Sequence, residues 1–346
     1  MTAVNVAEPR ASREATNTSL KVSGLLFVLL SVLFVASLRF GYVPLSTAEV
    51  VSALMGMADE KYQTIVRELR LPRSLLAIFI GAAMGVSGAV LQGLLRNPLA
   101  EPGVIGVSSS AGLGAVVALY FGWSMAVPLA LPLSAMFGAG VVTVVLYFLA
   151  SRSESILTLI LAGVAISGFS IALSSLAMNL SPNPWAVTEI LFWLMGSLRD
   201  RSFHEVWLSL PFIAMGFALL AMTGRALDAL SLGEDGAQSL GVDLRRTRAL
   251  AILGTSCAVG ASVAVAGSIG FIGLVVPHLL RPVVGHLPSR LLLPSALGGA
   301  CLLIAADICV RILAQAGPEF HLGVVTSLIG APFFFYLLLR ARSLIG

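Results

Sequence analysis

Charged residues are scarce in this sequence of 346 residues, at 11% against 58% hydrophobic residues. Soluble domains carry about 25% charged residues, so this chain lacks the polar side chains needed to cover a water-exposed fold. A helix needs about 20 apolar residues to cross the hydrocarbon core of a bilayer. Six stretches contain no Asp, Glu, Lys or Arg: residues 22–38, 74–95, 102–151, 155–188, 206–224 and 320–339. The pattern predicts an all-α polytopic membrane protein and argues against a soluble fold.

Lysine is almost absent, because the only two lysines are Lys21, after Leu20, and Lys61, after Glu60. A phosphate-binding loop of the form GxxxxGK[ST] needs a lysine directly after a glycine. This chain therefore cannot carry that ATP site, and we expect it to bind no cofactor of its own. Any ATP and Mg that drive its function would be used by a separate ATPase subunit.

Cysteine is also rare. Cys257, Cys301 and Cys309 all lie in predicted spans and are interpreted as small apolar core residues, so neither a disulfide framework nor a metal site is predicted. The formal net charge of +4 needs no nucleic-acid partner, because basic residues at cytoplasmic helix ends account for most of it.

Turn and charge signals divide the chain into about ten spans. They are residues 22–40, 72–95, 101–121, 126–150, 155–179, 204–224, 248–266, 269–286, 291–312 and 321–340. An even number places both termini on one side, and cytoplasmic termini put thirteen of the 21 basic residues inside, as the positive-inside rule favours. The polar residues 1–21 are predicted to form a disordered cytoplasmic tail, and residues 22–346 a single transmembrane domain.

Residues 70–180 and 248–340 resemble each other weakly. Each begins with a glycine-rich span and then has a segment broken by proline, at Asn97-Pro98 and at Val276-Pro277-His278. The two halves would cross the membrane in opposite senses, which predicts an inverted repeat of the kind found in transporters.

The predicted cytoplasmic loop, residues 225–248, has four basic and four acidic residues and is locally neutral. Ser231-x-x-Glu234 has the spacing of a capping box that opens a short helix, and Gly241 could close it in a left-handed conformation. Its apolar contacts would come from Leu227, Leu230, Leu232, Leu240 and Val242. Such a hairpin could dock a partner, and an ordinary solvated connector is the alternative.

Basic residues on the predicted outer side need a reason. Arg67, Arg70 and Arg73 are spaced three apart at the mouth of the second span. Arg311 lies at the outer end of the ninth span, where Asp307 at i,i+4 could pair with it. Arginine suits bidentate recognition of carboxylates, although these side chains could instead extend to lipid headgroups.

Small residues form one face on two spans. The fifth span carries Gly163, Ser167, Ser170 and Ser174, and the tenth carries Gly323, Thr326 and Gly330. These faces could line a pathway for a large hydrophilic cargo, since they contain no charge or metal-ligand cluster. They could equally serve close helix packing.

Three stretches carry a resemblance to a known family. They are RLPRSLLAIFIGAAMGVSGAVLQGLLRNPLAEPGVIGVSSSAG (residues 70–112), LSLGEDGAQSLGV (residues 230–242), and a segment of residues 267–340 that includes GFIGLVVPHLLRPVVGH. Together they resemble FecCD-type permeases of ABC importers for iron-siderophores, haem and cobalamin. The resemblance implies a homodimer in the bacterial inner membrane, surrounded by lipid. It also implies two ATPase subunits and a periplasmic or lipid-anchored binding protein.

The resemblance also assigns roles to residues. Arg70, Arg73 and Arg311 match positions that dock the binding protein, with Arg67 beside them. Asn97 and Leu99 match the cytoplasmic gate, with Ser155 nearby. The small-residue faces become candidates for the pathway, and the loop at residues 225–248 for ATPase coupling through its leucines, Glu234 and Gly241.

The cargo expected from the resemblance is an iron chelate, either a siderophore or haem, with cobalamin as the alternative. An ion-coupled secondary transporter is the second class, because ion coupling usually needs a carboxylate buried in the membrane and Asp307 is a candidate. A channel or purely structural membrane protein would not explain the capped loop.

Overall fold

The computed structural model describes residues 10–152, 156–314, 317 and 320–342, and every regular element in these ranges is helical. Sixteen α-helices are accompanied by a π-helical turn (Ile65–Arg70) and a 3₁₀ turn (Pro102–Ile105). The helices are α1 (Arg10–Arg39), α2 (Thr47–Met55), α3 (Glu60–Thr64), α4 (Leu71–Leu94), α5 (Val107–Tyr120), α6 (Trp123–Ala126), α7 (Ala130–Arg152), α8 (Ile156–Leu180), α9 (Pro184–Leu194), α10 (Phe203–Ala221), α11 (Gly224–Leu230), α12 (Glu234–Ser239), α13 (Leu244–Ala266), α14 (Ile272–Val284), α15 (Pro288–Leu313) and α16 (Leu322–Arg342).

Each of the ten predicted spans overlaps one of these helices: α1, α4, α5, α7, α8, α10, α13, α14, α15 and α16. By length and composition, seven helices among the described residues can cross a membrane. Helices α5, α14 and α16 are shorter apolar helices, as is α9, which the sequence did not predict. The prediction of an all-α polytopic membrane protein is confirmed.

The amino-terminal segment differs from the prediction. Residues 10–21 belong to α1, whereas the sequence predicted a disordered tail over residues 1–21. This part of the helix is held against the start of α15, because the Ser19 hydroxyl donates to the Arg290 carbonyl oxygen at 2.7 Å. A polar composition is compatible with a helix that extends out of the membrane.

Helices α4 and α15 cross closely because glycines remove the side chains between them. A Cβ atom at Gly81 would overlap the carbonyl group of Gly299, and one at Gly85 would overlap that of Ser295. Small residues at intervals of four allow backbones to approach in a bilayer, where no hydrophobic effect drives helices together. This crossing forms the centre of the bundle.

The packing of the helices supports a repeat of two halves. Helices α4, α5, α7 and α8 form one half, and α13, α14, α15 and α16 form the other. The first helix of each half packs on the third helix of the other half, since α4 packs on α15 and α13 packs on α7. Each half also has a non-helical break after its first long helix, which we call break one (residues 95–106) and break two (residues 267–271).

Candidate docking, coupling and pathway surfaces

The predicted outer end of the bundle contains a buried charge cluster centred on Asp307, which has no solvent exposure. Arg73 donates to its carboxylate through Nε at 2.9 Å and lies 2.8 Å from it through Nη2. Arg311 pairs with the same carboxylate at 2.9 Å, as the i,i+4 spacing predicted. One carboxylate therefore holds two guanidinium groups from α4 and α15.

The remaining donors of the cluster bind the end of α1. Arg70 donates to the carbonyl oxygens of Leu38 and Arg39, both at 2.8 Å, and also to that of Val43. Arg311 donates to the Ser37 carbonyl oxygen at 2.8 Å. The last carbonyl groups of a helix have no partner within the helix. The two arginines supply donors to three of them and lock α1 against α4 and α15.

A cavity of about 330 Å³ opens over this cluster. Its charged lining consists of Arg70, Arg73, Arg199, Arg201, Arg311 and Asp200. Burial lowers the pKa of Arg201, which lies in the loop before α10, while Glu205 and Asp200 oppose that shift. The Nε of Arg201 is buried without a hydrogen-bond partner. The cavity therefore has an excess of positive charge suited to a carboxylate.

Arg67 takes a different position from the other three predicted docking residues. Its Nη2 donates to the Leu54 carbonyl oxygen at 2.6 Å, near the end of α2, and the residue does not line the cavity. Arg67 thus fastens α2 to the π-helical turn that precedes α4. Of the four arginines selected from the sequence, three meet at the cavity.

The loop at residues 225–248, predicted to be cytoplasmic, contains both buried and exposed leucines. Leu227 is fully buried and Leu230 is 1% exposed, so the prediction that they form part of a docking surface is wrong. They belong to the main hydrophobic core because α11 lies against α4 and α15. Leu232 and Leu240, by contrast, are 71% and 66% exposed.

The predicted capping box is not formed. Ser231 is the C-cap of α11, and its hydroxyl donates to the Asp228 carbonyl oxygen at 2.6 Å instead of capping α12. Helix α12 begins after Gly233, which has a φ of 103°. Glu234 pairs with Arg248 of α13 at 2.9 Å. The turn at Gly233 separates Ser231 from α12, so the spacing was misleading.

Gly241 closes α12 as predicted, with a φ of 81°. Its N–H donates to the Gln238 carbonyl oxygen at 2.9 Å, and the N–H of Val242 donates to that of Ala237 at 3.0 Å. These two bonds form a Schellman motif. The end of the hairpin is therefore fixed.

The sequence reasoning missed a second anchor of this loop. The Asp228 carboxylate accepts from the N–H of Ser289 at 2.8 Å and so caps the first turn of α15. A carboxylate is favourable there because the first N–H groups of a helix carry partial positive charge. Together with the buried leucines, this bond makes the hairpin move with the bundle.

The small-residue face of α8 lies inside the chain. A Cβ atom at Gly163 would overlap the carbonyl oxygen of Val104 in break one. Ser170 and Ser110 of α5 share a hydrogen bond of 2.9 Å, and Ser174 donates to the Ser170 carbonyl oxygen at 2.8 Å. The Ser167 hydroxyl is also buried. This face serves helix packing, one of the two alternatives that the sequence left open.

The corresponding face of α16 is packed in the same way. A Cβ atom at Gly323 would overlap the carbonyl oxygen of Met195, and one at Gly330 would overlap the side chain of Phe271. Thr326 is 5% exposed and donates to the Gly323 carbonyl oxygen. These small residues are packed against neighbouring segments in the described conformation, and their assignment to a pathway stays a prediction. Their packing leaves other faces of α8 and α16 exposed, at Leu161 and Leu328 for example.

The predicted gate lies at the start of break one. Asn97 is exposed, and its side-chain oxygen accepts from the N–H of Leu99 at 2.9 Å, which forms a tight turn after Arg96, with a φ of 47°. Ser155 lies outside the described residues. The assignment of these residues to a gate stays a prediction.

Comparisons with known proteins agree with this architecture. The model of the FecCD transport family matches residues 29–340. The vitamin B12 import system permease protein BtuC of Klebsiella pneumoniae is 40% identical over 284 residues, which cover 82% of this chain and 85% of that protein. BtuC of Escherichia coli O9:H4 is 42% identical over 281 residues, covering 81% and 85%.

Solved structures give the same result. The chain resembles a metal-chelate type ABC transporter in an inward-facing conformation, with a TM-score of 0.82, 33% identity, and coverage of 92% of this chain and 99% of that one. PsaBC of Streptococcus pneumoniae shares the fold, with a TM-score of 0.52 and 17% identity. The chain belongs to the FecCD transport family and is a permease subunit of an ABC importer, whose ATPase is a separate protein.

Proposed function

We propose that this permease imports vitamin B12 or a closely related corrinoid across the bacterial inner membrane. The observation that supports this cargo is the identity of 40% and 42% to vitamin B12 permeases over more than four fifths of the chain. An iron chelate, either a siderophore or haem, is the second candidate. It is favoured by the similarity to a metal-chelate type transporter at 33% identity.

The proposed assembly has two copies of this chain, two ATPase subunits on the inner side and a binding protein on the outer side, with both termini in the cytoplasm. Exposed apolar faces of α8 and α16 support the pairing of two copies around a central pathway, because each face carries large apolar side chains that the described residues leave exposed. Leu161 and Phe169 of α8 are 59% and 66% exposed, and Leu328 of α16 is 66% exposed.

Docking of the binding protein is assigned to the arginine-lined cavity. Three of its arginines are held by Asp307 and by the end of α1, so a carboxylate placed there would act on α1, α4 and α15 at once. Such a group would gain charge-assisted hydrogen bonds. Docking of the loaded binding protein would in this way change the positions of α1, α4 and α15.

ATPase coupling is assigned to the hairpin of α11 and α12. Leu232 and Leu240 project into solvent and can enter a groove of the partner, while Leu227, Leu230 and Asp228 carry its motion into α15. ATP binding in the partner would shift the hairpin and reopen the pathway on the other side. This sequence of steps is alternating access driven by ATP.

Ion-coupled secondary transport is the weaker alternative. Asp307, the carboxylate that the sequence offered for ion coupling, is paired with both Arg73 and Arg311. Protonating it would leave two buried guanidinium groups without a counter-charge, which is costly. Asp307 is therefore suited to a structural role.

The proposal is tested by uptake into vesicles that contain the permease, its ATPase and its binding protein. We expect ATP-dependent uptake of labelled cobalamin that survives the collapse of proton and sodium gradients. Uptake of a ferric siderophore or of haem, with none of cobalamin, would favour the second candidate. Uptake that persists without ATP and stops with the gradients would support secondary transport.

A further inference from the structure

The two breaks of the inverted repeat meet at a side chain that the functional assignments above do not use. Glu101 of break one accepts a hydrogen bond at 2.9 Å from the N–H of Phe271, the last residue of break two. Beside this bond, a Cβ atom at Gly273 would lie 2.6 Å from the ring of Pro102. Break one is thus joined to break two by the hydrogen bond of Glu101, and it packs closely on the first turn of α14.

Gln92 of α4 bridges break one and the first turn of α14, which directly follows break two. It is 1% exposed, and its side-chain amide nitrogen lies 3.4 Å from the carbonyl oxygen of Ala100 and 3.3 Å from that of Gly273. Its side-chain oxygen accepts from Nη2 of Arg281 at 2.9 Å. Buried polar side chains that satisfy each other in this way fix a single arrangement. The relative position of the two breaks is therefore well defined.

Break one is also the support of α8. At Gly163 of α8, an added Cβ atom would overlap the Val104 carbonyl oxygen and lie 2.8 Å from the Cα atom of Ile105. Gly106, with a φ of 80°, would bring a Cβ atom to 3.0 Å from the Gly163 carbonyl oxygen. Backbone therefore packs directly on backbone, so α8 cannot shift without moving the 3₁₀ turn of break one.

Break two is the support of α16 in the same sense. Phe271 has a φ of 68°, a conformation that residues with a side chain seldom adopt, and its ring packs on Gly330 of α16. A residue is kept in such a conformation only when its surroundings hold it there. Here the N–H bond to Glu101 and the contact with Gly330 do so.

We propose that Glu101 is a positioning residue that joins the two helices of the translocation pathway, α8 and α16, so that they change position together. The connection runs from Gly163 through break one to Glu101, and then through Phe271 to Gly330. It rests on the proposed pathway between α8 and α16. Glu101 touches neither cargo nor nucleotide in this proposal.

A carboxylate suits this position for a physical reason. Phe271 is the N-cap of α14, and the first N–H groups of a helix attract negative charge. Without an acceptor, the Phe271 N–H would be left partly buried and unpaired, and the two breaks would keep only apolar contact. A glutamine could still accept the bond through its amide oxygen, whereas an alanine could not.

The experiment measures cargo transported per ATP hydrolysed by the complete transporter in vesicles. We expect Glu101→Ala to lower this ratio about fivefold, the effect of losing one hydrogen bond in a linked element. Glu101→Gln should restore the ratio to within about twofold of the unsubstituted protein. Glu60→Ala, which removes an exposed carboxylate of α3, serves as the matched control and should leave the ratio unchanged.

A purely structural role for Glu101 would lower the amount of folded complex without changing the ratio. An unchanged ratio in Glu101→Ala would overturn the proposal, and so would an equal loss in Glu101→Gln. If Glu101→Ala fails to assemble, Phe271→Gly decides, because it keeps the N–H but removes the ring from Gly330. A normal ratio in that variant would also overturn the link. Failure of the unsubstituted transporter to import any chelate would instead refute the proposed function.

Discussion

The two proposed partner surfaces, the arginine cluster and the hairpin of α11 and α12, differ in the kind of side chain that they present. In the arginine cluster, Arg73 and Arg311 pair with Asp307, and Arg70 donates hydrogen bonds to the end of α1. In the hairpin, Leu227 and Leu230 are buried while Leu232 and Leu240 are exposed. The proposed surface for the binding protein therefore consists of charged side chains held by buried ion pairs. The proposed surface for the ATPase consists of exposed leucines held by buried leucines.

The largest expected effect comes from removing Asp307, which holds the arginine cluster together. Asp307→Ala should destabilise the protein by about 3–5 kcal/mol, because it leaves the buried Arg311 and the partly buried Arg73 without their counter-charge. Thermal unfolding of the purified protein in detergent measures it. Asp59→Ala is the control, since Asp59 is exposed, makes no capping hydrogen bond through its side chain and should change stability little. Equal melting temperatures for the two variants would contradict the structural role of Asp307.

The next largest effect concerns the buried leucines that anchor the hairpin of α11 and α12. Leu227→Ala should destabilise the fold by about 2–5 kcal/mol, because it creates a cavity in the core. Leu232→Ala should leave the melting temperature unchanged, since its side chain is 71% exposed, but should weaken assembly with the ATPase. Thermal unfolding and co-purification of the ATPase separate the two outcomes. A docking defect in Leu227→Ala with normal stability would reverse the assignment.

A third effect tests the tight crossing at the centre, which both ends share. Gly85→Ala should lower the melting temperature, because the new methyl group would overlap the Ser295 carbonyl oxygen and force α4 and α15 apart. Gly140→Ala and Gly168→Ala are matched controls in α7 and α8, where the space around the glycine is open. Equal melting temperatures for all three variants would argue against the close crossing.

The smallest effect concerns the charge of the cavity itself. Arg201→Glu should weaken docking of the binding protein about tenfold, since charges at an interface that approach a carboxylate contribute at this scale. It should also lower the melting temperature, because the new carboxylate would lie near Asp200 and Glu205. The affinity is measured from binding of the permease complex to surface-immobilised binding protein. Arg67→Ala is the control, because Arg67 bonds to the Leu54 carbonyl oxygen outside the cavity. Equal affinity of Arg201→Glu and the unsubstituted protein would remove the cavity from the docking site.

Composition and hydropathy predicted the fold well, because burying backbone in lipid leaves few alternatives to apolar helices. Each predicted span overlaps a helix, and the pair of Asp307 and Arg311 followed from their spacing. Helix α9 was missed because no charged residue separates it from α8, although Asn183 caps its start and Pro184 occupies its first turn.

Tertiary contacts explain the errors at the candidate sites. A helical face of Gly and Ser has the same pattern whether it meets a pathway or another helix, and only the contact of Gly163 with Val104 distinguishes them. The capping-box spacing failed because Gly233 ended the turn between Ser231 and Glu234. Glu101 was passed over because its partner, the N–H of Phe271, lies 170 residues away.

Uptake by the purified permease with and without its ATPase tests the central account most directly. Vesicles that contain the permease, ATPase and binding protein should accumulate cobalamin only when ATP is supplied. Vesicles that contain the permease alone should accumulate none under an imposed proton or sodium gradient. Accumulation by the permease alone would contradict the account, because transport would then be driven by an energy source other than the ATPase that couples through the hairpin.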